Sequence, residues 1–202
     1  KVLSVVIIPE NTPGISPGRK ENKLGLRGSV TGDVILNNVC VPEDCLLGKE
    51  GKGQAIALST IGNFGRSAMA ALAVGVLRGC VEEGIKFAKE RIVYGKPIAK
   101  IPAIQEIIAE NQCEYEASHA MLYNATALYD RGQDATPQIA AVKYFASEAA
   151  VRAAKRTIDL MGGYGVINEY PVGRFLRDAM TIIPSGGTSH IMQIIVAAAA
   201  LS

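Results

Sequence analysis

The spacing of apolar residues changes near Gly48 and divides the chain into two regions. Before Gly48, short β-branched runs alternate with turn residues. Val2–Ile8 and Thr31–Asn37 have the composition of strands, and Val39–Val41 could begin another. The pattern therefore predicts a small β segment in the first quarter of the chain.

Turn residues separate these runs. Asn11–Gly14 and Ser16–Gly18 predict turns, because proline fixes φ and glycine accepts positive φ. The sequence opens directly in a strand pattern, and such a strand needs neighbours that the sequence does not supply. We therefore expect an incomplete β-domain with open edges, and a chain that is a fragment of a longer protein.

After Gly53 the apolar spacing is helical almost to the C-terminus. Pro102 suits the first turn of a helix, Gly132 suits a helix end, and Tyr94–Pro97 interrupts the pattern. The predicted helices are Gln54 to about Arg91 with an interruption at Gly62–Gly65, Pro102–Asp130, Ala135–Leu160, a short helix after Pro171, and a final helix with Thr188 or Ser189 as N-cap.

Long helices joined by short breaks predict an antiparallel bundle. We predict a mainly α fold, an antiparallel four-helix-type bundle in residues 51–202 preceded by the β segment in residues 1–50. The final helix is apolar around most of its surface, so it should be buried or lie at a subunit interface. One face of the third long helix should be buried, since its apolar residues recur every three to four positions: Val142, Phe145, Ala149 and Ala153.

Composition narrows the functional classes. The formal net charge is +2, and no run of lysine or arginine is present, so nothing indicates a nucleic-acid partner. The last apolar stretch, Ile191–Leu201, is too short to span a bilayer, and no transmembrane segment or leader is predicted. The four cysteines lack metal-ligand spacing, so we expect no metal site and a reducing compartment, the cytoplasm or the mitochondrial matrix.

Six segments carry a family resemblance. In chain order they are Lys23–Thr31 with Val39–Pro42 and Leu47–Gly48; Asn63–Arg66; Glu90–Pro97; Ile104–Glu106; Asp159–Gly165 with Glu169–Pro171 and Arg177–Ala179; and Gly187–Ile191. Together they resemble the acyl-CoA dehydrogenase family. The resemblance covers essentially the whole chain, and it identifies residues 1–50 with the latter half of the family's middle β-domain and residues 51–202 with its C-terminal helical domain.

The resemblance implies a flavoprotein oxidoreductase that acts on the CH–CH bond of acyl-CoA thioesters. In this family a carboxylate removes the α-proton while the β-hydrogen leaves as hydride to the flavin of FAD, and hydrogen bonds from backbone groups stabilise the thioester oxygen. It also implies acyl-CoA as substrate, electron-transfer flavoprotein as partner, and a homo-oligomer, either dimer or tetramer. In the fragment alone, FAD binding should be weak or absent.

The family's catalytic base is missing from the sequence. Most members carry a glutamate directly before the Gly-Thr pair, where this chain has Gly186, and a minority carry it beside the arginine of the long helix, where this chain has Gly65. His190 could accept a proton, although it replaces a polar family residue that resembles a flavin contact. We therefore predict no catalytic residue at either position.

The cofactor-binding elements implied by the resemblance are better preserved. Gly162 and Gly163 would let the backbone approach the pyrophosphate, although such a pair is also an ordinary helix C-cap. Arg91 would pair with an FAD phosphate across a subunit interface, or it is a solvated cation at a helix end. Asp159 stands where glutamine is common, and its charge near a pyrophosphate is unfavourable unless it is paired.

Four further residues complete the predicted site. Thr188 would cap the last helix and contact the flavin, and His190 would contact it as well. Asn63 and Arg66 would hold the acyl-CoA, although Arg66 could instead form an internal salt bridge.

Three functions stay open at this point. The chain could belong to an ordinary dehydrogenase whose base comes from elsewhere. It could belong to a divergent or non-catalytic homologue that binds FAD or acyl-CoA without α-proton abstraction. It could also be an oligomerising helical fragment without activity.

Overall fold

The computed structural model describes residues 2–202. The chain forms two compact units, the first ending at Ile61 and the second spanning Gly62–Ser202. The boundary predicted between residues 50 and 51 precedes the first helix, whereas the structural division falls at a π-helical turn, Ile61–Gly65. The predicted interruption at Gly62–Gly65 is therefore a change of helix type within a continuous helical stretch.

The first unit contains two separate two-stranded antiparallel sheets and one helix. β1 pairs with β4, and β2 pairs with β3. Every residue of β3 is exposed, which agrees with the expectation that this segment buries little. The elements are β1 (Val5–Val6), β2 (Ile15–Lys20), β3 (Gly32–Leu36), β4 (Leu46–Leu47) and α1 (Gly53–Thr60).

Three predictions in this unit are wrong in detail. Of the strand predicted at Val2–Ile8, only Val5–Val6 forms ladder pairs, with the two residues of β4. Beyond this ladder the Ile7 N–H donates to Cys45 O, and Leu3 O accepts from the Gly53 N–H, both at 2.8 Å. Ser16–Gly18 lies inside β2 and not in a turn; a Cβ on Gly18 would stand 2.7 Å from the Asp33 Cβ, so the glycine permits close pairing. Val39–Val41 does not form a strand.

The second unit is a helical bundle, which confirms the predicted fold class. Its helices begin and end within about two residues of the predicted limits, and a short hairpin of β5 (Ile92–Val93) and β6 (Lys96–Pro97) follows the first of them. The helices are α2 (Arg66–Glu90), α3 (Pro102–Asp130), α4 (Thr136–Met161), α5 (Val172–Ile182) and α6 (Ser189–Leu201).

The contact between α3 and α4 shows that these two helices are antiparallel. Arg152 pairs with Glu114 at 2.7 Å, and Arg156 pairs with Glu114 at 2.8 Å and with Glu110 at 2.7 Å. Residues later in α4 therefore contact residues earlier in α3, as expected for antiparallel helices. Between them, Asn111 Nδ2 donates to Thr157 Oγ1 at 3.1 Å, so the buried amide has a partner.

Small side chains let α2 and α4 approach closely. An added Cβ on Gly84 would meet the Thr157 methyl at 3.6 Å. Burial raises the pKa of the neighbouring Cys80 thiol to about 12, which makes it a poor nucleophile at neutral pH. The two helices bury many alanines, among them Ala70, Ala73, Ala88, Ala146, Ala149, Ala150 and Ala153.

The predicted buried face of α4 and the cap of α6 are both present. Val142, Ala149 and Ala153 have no exposed surface, and Phe145 is half-buried. The Thr188 hydroxyl accepts from the backbone N–H of Ile191 at 3.4 Å, which confirms the predicted N-cap.

One helical stretch, Gly53–Glu90, is long and apolar enough to cross a membrane by length and composition alone. Core helices of soluble proteins meet the same criterion, and the α2 part of this stretch packs against α3, α4 and α5. The packing of α2 favours the bundle-core interpretation.

Candidate functional site

A cavity of about 550 Å³ opens at one end of the bundle. It lies where the end of α2 and the β5–β6 hairpin meet the start of α3 and the end of α4. Apolar side chains such as Ile98, Ile104 and Leu160 form much of its wall. Four residues of the predicted cofactor site line it together: Arg91, Asp159, Gly162 and Gly163.

Arg91 supplies a cation to this cavity. Its position is fixed by the backbone, since its N–H donates to Phe87 O and its carbonyl accepts from Ile98 N, both at 2.9 Å. The guanidinium carbon lies 5.2 Å from the centre of the Tyr164 ring, within cation–π range. Among the described residues it forms no salt bridge, so the guanidinium remains available to an anion.

Gly162 and Gly163 give the cavity an open backbone edge. Gly162 ends α4 with φ +58°, a conformation that L side chains rarely adopt. An ideal Cβ on either glycine would have no neighbour within 4 Å, so a side chain here would extend into free space. Arg91 supplies a cation and the two glycines leave the backbone uncovered, which together suit the diphosphate of a dinucleotide.

The negative charge of Asp159 is paired, as the sequence analysis required. Lys155, one turn earlier on α4, donates from Nζ to Asp159 Oδ2 at 2.8 Å. Both side chains are more than half exposed, so solvent weakens the pairing and leaves part of the carboxylate's charge at the cavity.

Asp159→Asn should therefore raise the affinity of the full-length apoprotein for FAD about two- to fivefold, because a residual repulsion is removed. Its melting temperature should stay unchanged. Fluorescence titration with FAD measures the affinity. Glu82→Gln is the matched control, since Glu82 forms an exposed i,i+4 pair with Arg78 on α2, outside the cavity. Equal effects of the two substitutions would contradict the prediction.

Gly65 and Gly186, the two positions at which the resemblance places the base, lie side by side. A Cβ on Gly186 would stand 3.4 Å from the Gly65 carbonyl oxygen and 3.4 Å from Met69 Cγ. Gly65 has helical angles, φ −63° and ψ −47°, whereas Gly186 has φ +69°. Where these two glycines meet, the chain therefore provides a carboxylate from neither position.

A buried lysine, Lys143, lies next to this point. It has no exposed surface, and its Nζ donates to the backbone oxygens of Ile183 and Gly187, each at 2.6 Å. Burial lowers the pKa of Lys143, with a smaller contribution from Arg66, while Glu148 opposes the shift. Sequence reasoning missed Lys143; the available signal was a lone lysine between Val142 and Ala146 on the apolar face of α4.

The remaining predicted site residues do not line the cavity. They lie close in sequence to Gly65 or to Gly186. Thr188 and His190, both exposed, begin α6 just after Gly186. Asn63 belongs to the π-helical turn, and its carbonyl accepts from the Ser67 hydroxyl. The Nε of Arg66 is buried without a hydrogen-bond partner among the described residues, so the internal salt bridge considered for Arg66 is not formed there.

Comparison with known proteins decides the family. A model described as the C-terminal domain of acyl-CoA dehydrogenase matches residues 51–201. The chain belongs to the acyl-CoA dehydrogenase family. One solved protein that the chain resembles is an FAD-dependent dehydrogenase, 29% identical with a TM-score of 0.92, covering 98% of the chain and 53% of that protein.

Individual acyl-CoA dehydrogenase relatives match almost the whole chain. It is similar to an acyl-CoA dehydrogenase of Bacillus subtilis, 41% identical, covering 96% of the chain and 51% of that protein. It is also similar to the caffeyl-CoA reductase–Etf complex subunit CarC of Acetobacterium woodii, 37% identical, with the same two coverages. The structure of butyryl-CoA dehydrogenase from Megasphaera elsdenii superposes with a TM-score of 0.97 at 32% identity, covering 100% of the chain and 52% of that protein. The chain thus spans about half the length of the curated relatives it matches.

Proposed function

We propose that this chain is part of a flavin-dependent oxidoreductase that binds FAD and an acyl-CoA thioester. The observation that carries the proposal is the cavity in which Arg91, Gly162 and Gly163 come together, in a chain of the acyl-CoA dehydrogenase family. FAD, when bound, supplies the hydride acceptor. Arg91 and the glycine backbone hold its diphosphate.

The described residues leave the α-proton of an acyl-CoA without a carboxylate at the usual place. Dehydrogenation breaks the Cα–H bond as a proton and the Cβ–H bond as a hydride, so the proton needs an acceptor. Neither Gly65 nor Gly186 provides one, and they stand together. This observation favours the divergent homologue over the ordinary dehydrogenase: ligand binding is retained and α-proton abstraction is slow.

Spacing along α4 supports assembly into a homo-oligomer. On α4, Asp159 lines the cavity, whereas Lys143 binds the turn that carries Gly186. These two α4 residues are sixteen positions apart, which is about 24 Å along a helix. The ribityl arm of one FAD is too short to join a flavin at Thr188 with a diphosphate at Arg91 of the same chain. We therefore assign the two halves of each FAD site to different copies of the chain, in a dimer or a tetramer.

Other partners follow from the same proposal. The exposed apolar residues Ile191, Ile194 and Leu201 of α6 suit a subunit interface. Electron-transfer flavoprotein is the proposed redox partner, supported by the Etf complex in the name of the Acetobacterium relative. A reducing compartment, the cytoplasm or the mitochondrial matrix, is consistent with four unpaired cysteines.

The absorption spectrum of the purified full-length protein tests the proposal. We expect a flavin spectrum at one FAD per subunit, perturbed by butyryl-CoA under anaerobic conditions and bleached only slowly. Absence of flavin binding after reconstitution would contradict the oxidoreductase and favour the oligomerising fragment. Rapid bleaching would contradict only the inference that the base is missing, and the proposal of an FAD-binding oxidoreductase would stand.

A further inference from the structure

The segment between α5 and α6 carries Gly186, and its glycines are held by a neighbouring helix. We call residues 183–188 the α5–α6 turn. Gly186 and Gly187, with φ +69° and +117°, contribute no side chain that could pack and fix the turn. On the α5 side, the Ser185 N–H donates to Ile182 O at 3.1 Å and the Ser185 hydroxyl donates to Thr181 O at 2.7 Å, so these local bonds stop before the two glycines.

Helix α4 supplies the missing attachments at two points. Lys143 bridges the ends of the turn, since the same ammonium binds Ile183 O and Gly187 O. Glu148 lies five positions later and accepts from the Ser189 hydroxyl at 2.6 Å, which fixes the first residue of α6. The turn is thereby attached to α4 before, at and after its glycines.

Packing alone does not explain a lysine at this position. Its ammonium loses hydration when buried, and an apolar side chain of similar length would fill the same volume without that loss. What the ammonium adds is direction, because two charge-assisted hydrogen bonds fix two carbonyls, and therefore the orientation of their peptide planes. The bond to Gly187 O also polarises the Gly187–Thr188 peptide, whose N–H faces away from that oxygen.

We infer that Lys143 is a positioning residue, which orients the peptide groups of Gly186 to Thr188 for contact with the bound thioester and cofactor. That these peptide groups contact a ligand rests on the proposed function. That Lys143 holds the turn rests only on its two hydrogen bonds. The charged groups that act on the Lys143 ammonium are Glu148, on its own helix, and Arg66, on α2. Glu148 compensates the buried charge and also holds Ser189.

Hydrogen–deuterium exchange of the full-length, FAD-reconstituted protein tests this role. Lys143→Met should raise exchange in peptides spanning 181–190 by about tenfold or more, since it removes two charge-assisted hydrogen bonds. Exchange in α3 should stay unchanged. The dissociation constant for butyryl-CoA, followed by the flavin spectrum, should rise by a similar factor. Lys143→Gln keeps an uncharged NH2 group on a side chain one atom shorter, and its effect should fall between those of the wild type and Lys143→Met.

Lys86→Met is the matched control, because Lys86 is an exposed lysine of α2. It should alter neither measurement. If exchange rises throughout the bundle in Lys143→Met, or does not rise at all, Lys143 is not a positioning residue.

Ser189→Ala keeps the inference testable if Lys143→Met does not fold. It removes only the hydrogen bond to Glu148 and should raise exchange in the same peptides by a smaller factor; unchanged exchange would overturn the inference. A wild-type protein that carries FAD but binds no butyryl-CoA contradicts the proposed function instead. The exchange data then still decide whether Lys143 holds the turn.

Discussion

Introducing a glutamate at either glycine of the facing pair should raise the rate of acyl-CoA dehydrogenation by about 10²–10⁴-fold, the usual contribution of a general base. The variants are Gly65→Glu and Gly186→Glu in the full-length protein. Their positions lie within 3.4 Å of each other, measured from an ideal Gly186 Cβ to the Gly65 oxygen. A carboxylate from either backbone can therefore reach a common point.

The two variants should differ in stability, and the sign follows from the backbone. Gly65 is helical, so replacing glycine there should stabilise the protein by roughly 0.5 kcal/mol. Gly186 has φ +69°, where a side chain costs about 1 kcal/mol. Gly65→Glu should thus melt at a higher temperature than Gly186→Glu, although both gain activity.

Gly65→Gln and Gly186→Gln are the matched controls, since they add the same volume without a base. Anaerobic reduction of the flavin by an acyl-CoA, followed by stopped-flow absorbance, gives the rate of the chemical step directly. Glutamine variants that react as fast as the glutamate variants would show that proton removal does not limit the reaction.

Sequence patterns predicted the helical unit well because its boundaries depend on local signals. Pro102 begins α3, and Thr188 caps α6, where each signal predicted it. The β segment was predicted less well, since strand length depends on the partner: the regular ladder of β1 covers only the two residues of β4. Pro17 and Gly18 predict a turn locally, yet close pairing with β3 places both in a strand.

The site shows the same division between local and distant information. Each of Gly65 and Gly186 could be singled out in the sequence, but that the two lie close together depends on how α2 packs beside the α5–α6 turn. Likewise, Arg91 and Gly162 are distant in sequence and share a cavity only because the bundle brings the ends of α2 and α4 together. Lys143 was missed because its partners are backbone carbonyls, which carry no sequence signal.

Filling the glycine edge of the cavity should abolish most FAD binding without weakening the fold. In Gly163→Leu, the new side chain has no neighbour within 4 Å at its Cβ and would occupy the space that a diphosphate needs. We expect the dissociation constant for FAD to rise by about 10²-fold, as lost charge-assisted hydrogen bonds to backbone and Arg91 would give. The melting temperature of the apoprotein should stay close to that of the wild type.

Gly75→Leu is the matched control, because it shows how a glycine-to-leucine change outside the cavity affects FAD affinity and melting temperature. Gly75 is exposed on α2, and a Cβ there also has no neighbour within 4 Å, but it does not line the cavity. Gly75→Leu should retain FAD and melt at the same or a higher temperature, because leucine favours a helix more than glycine does. Fluorescence titration with FAD and calorimetry of each apoprotein provide the two measurements. If Gly163→Leu bound FAD as tightly as Gly75→Leu, the diphosphate could not lie against Gly163, and the proposed cofactor site would have to be placed elsewhere.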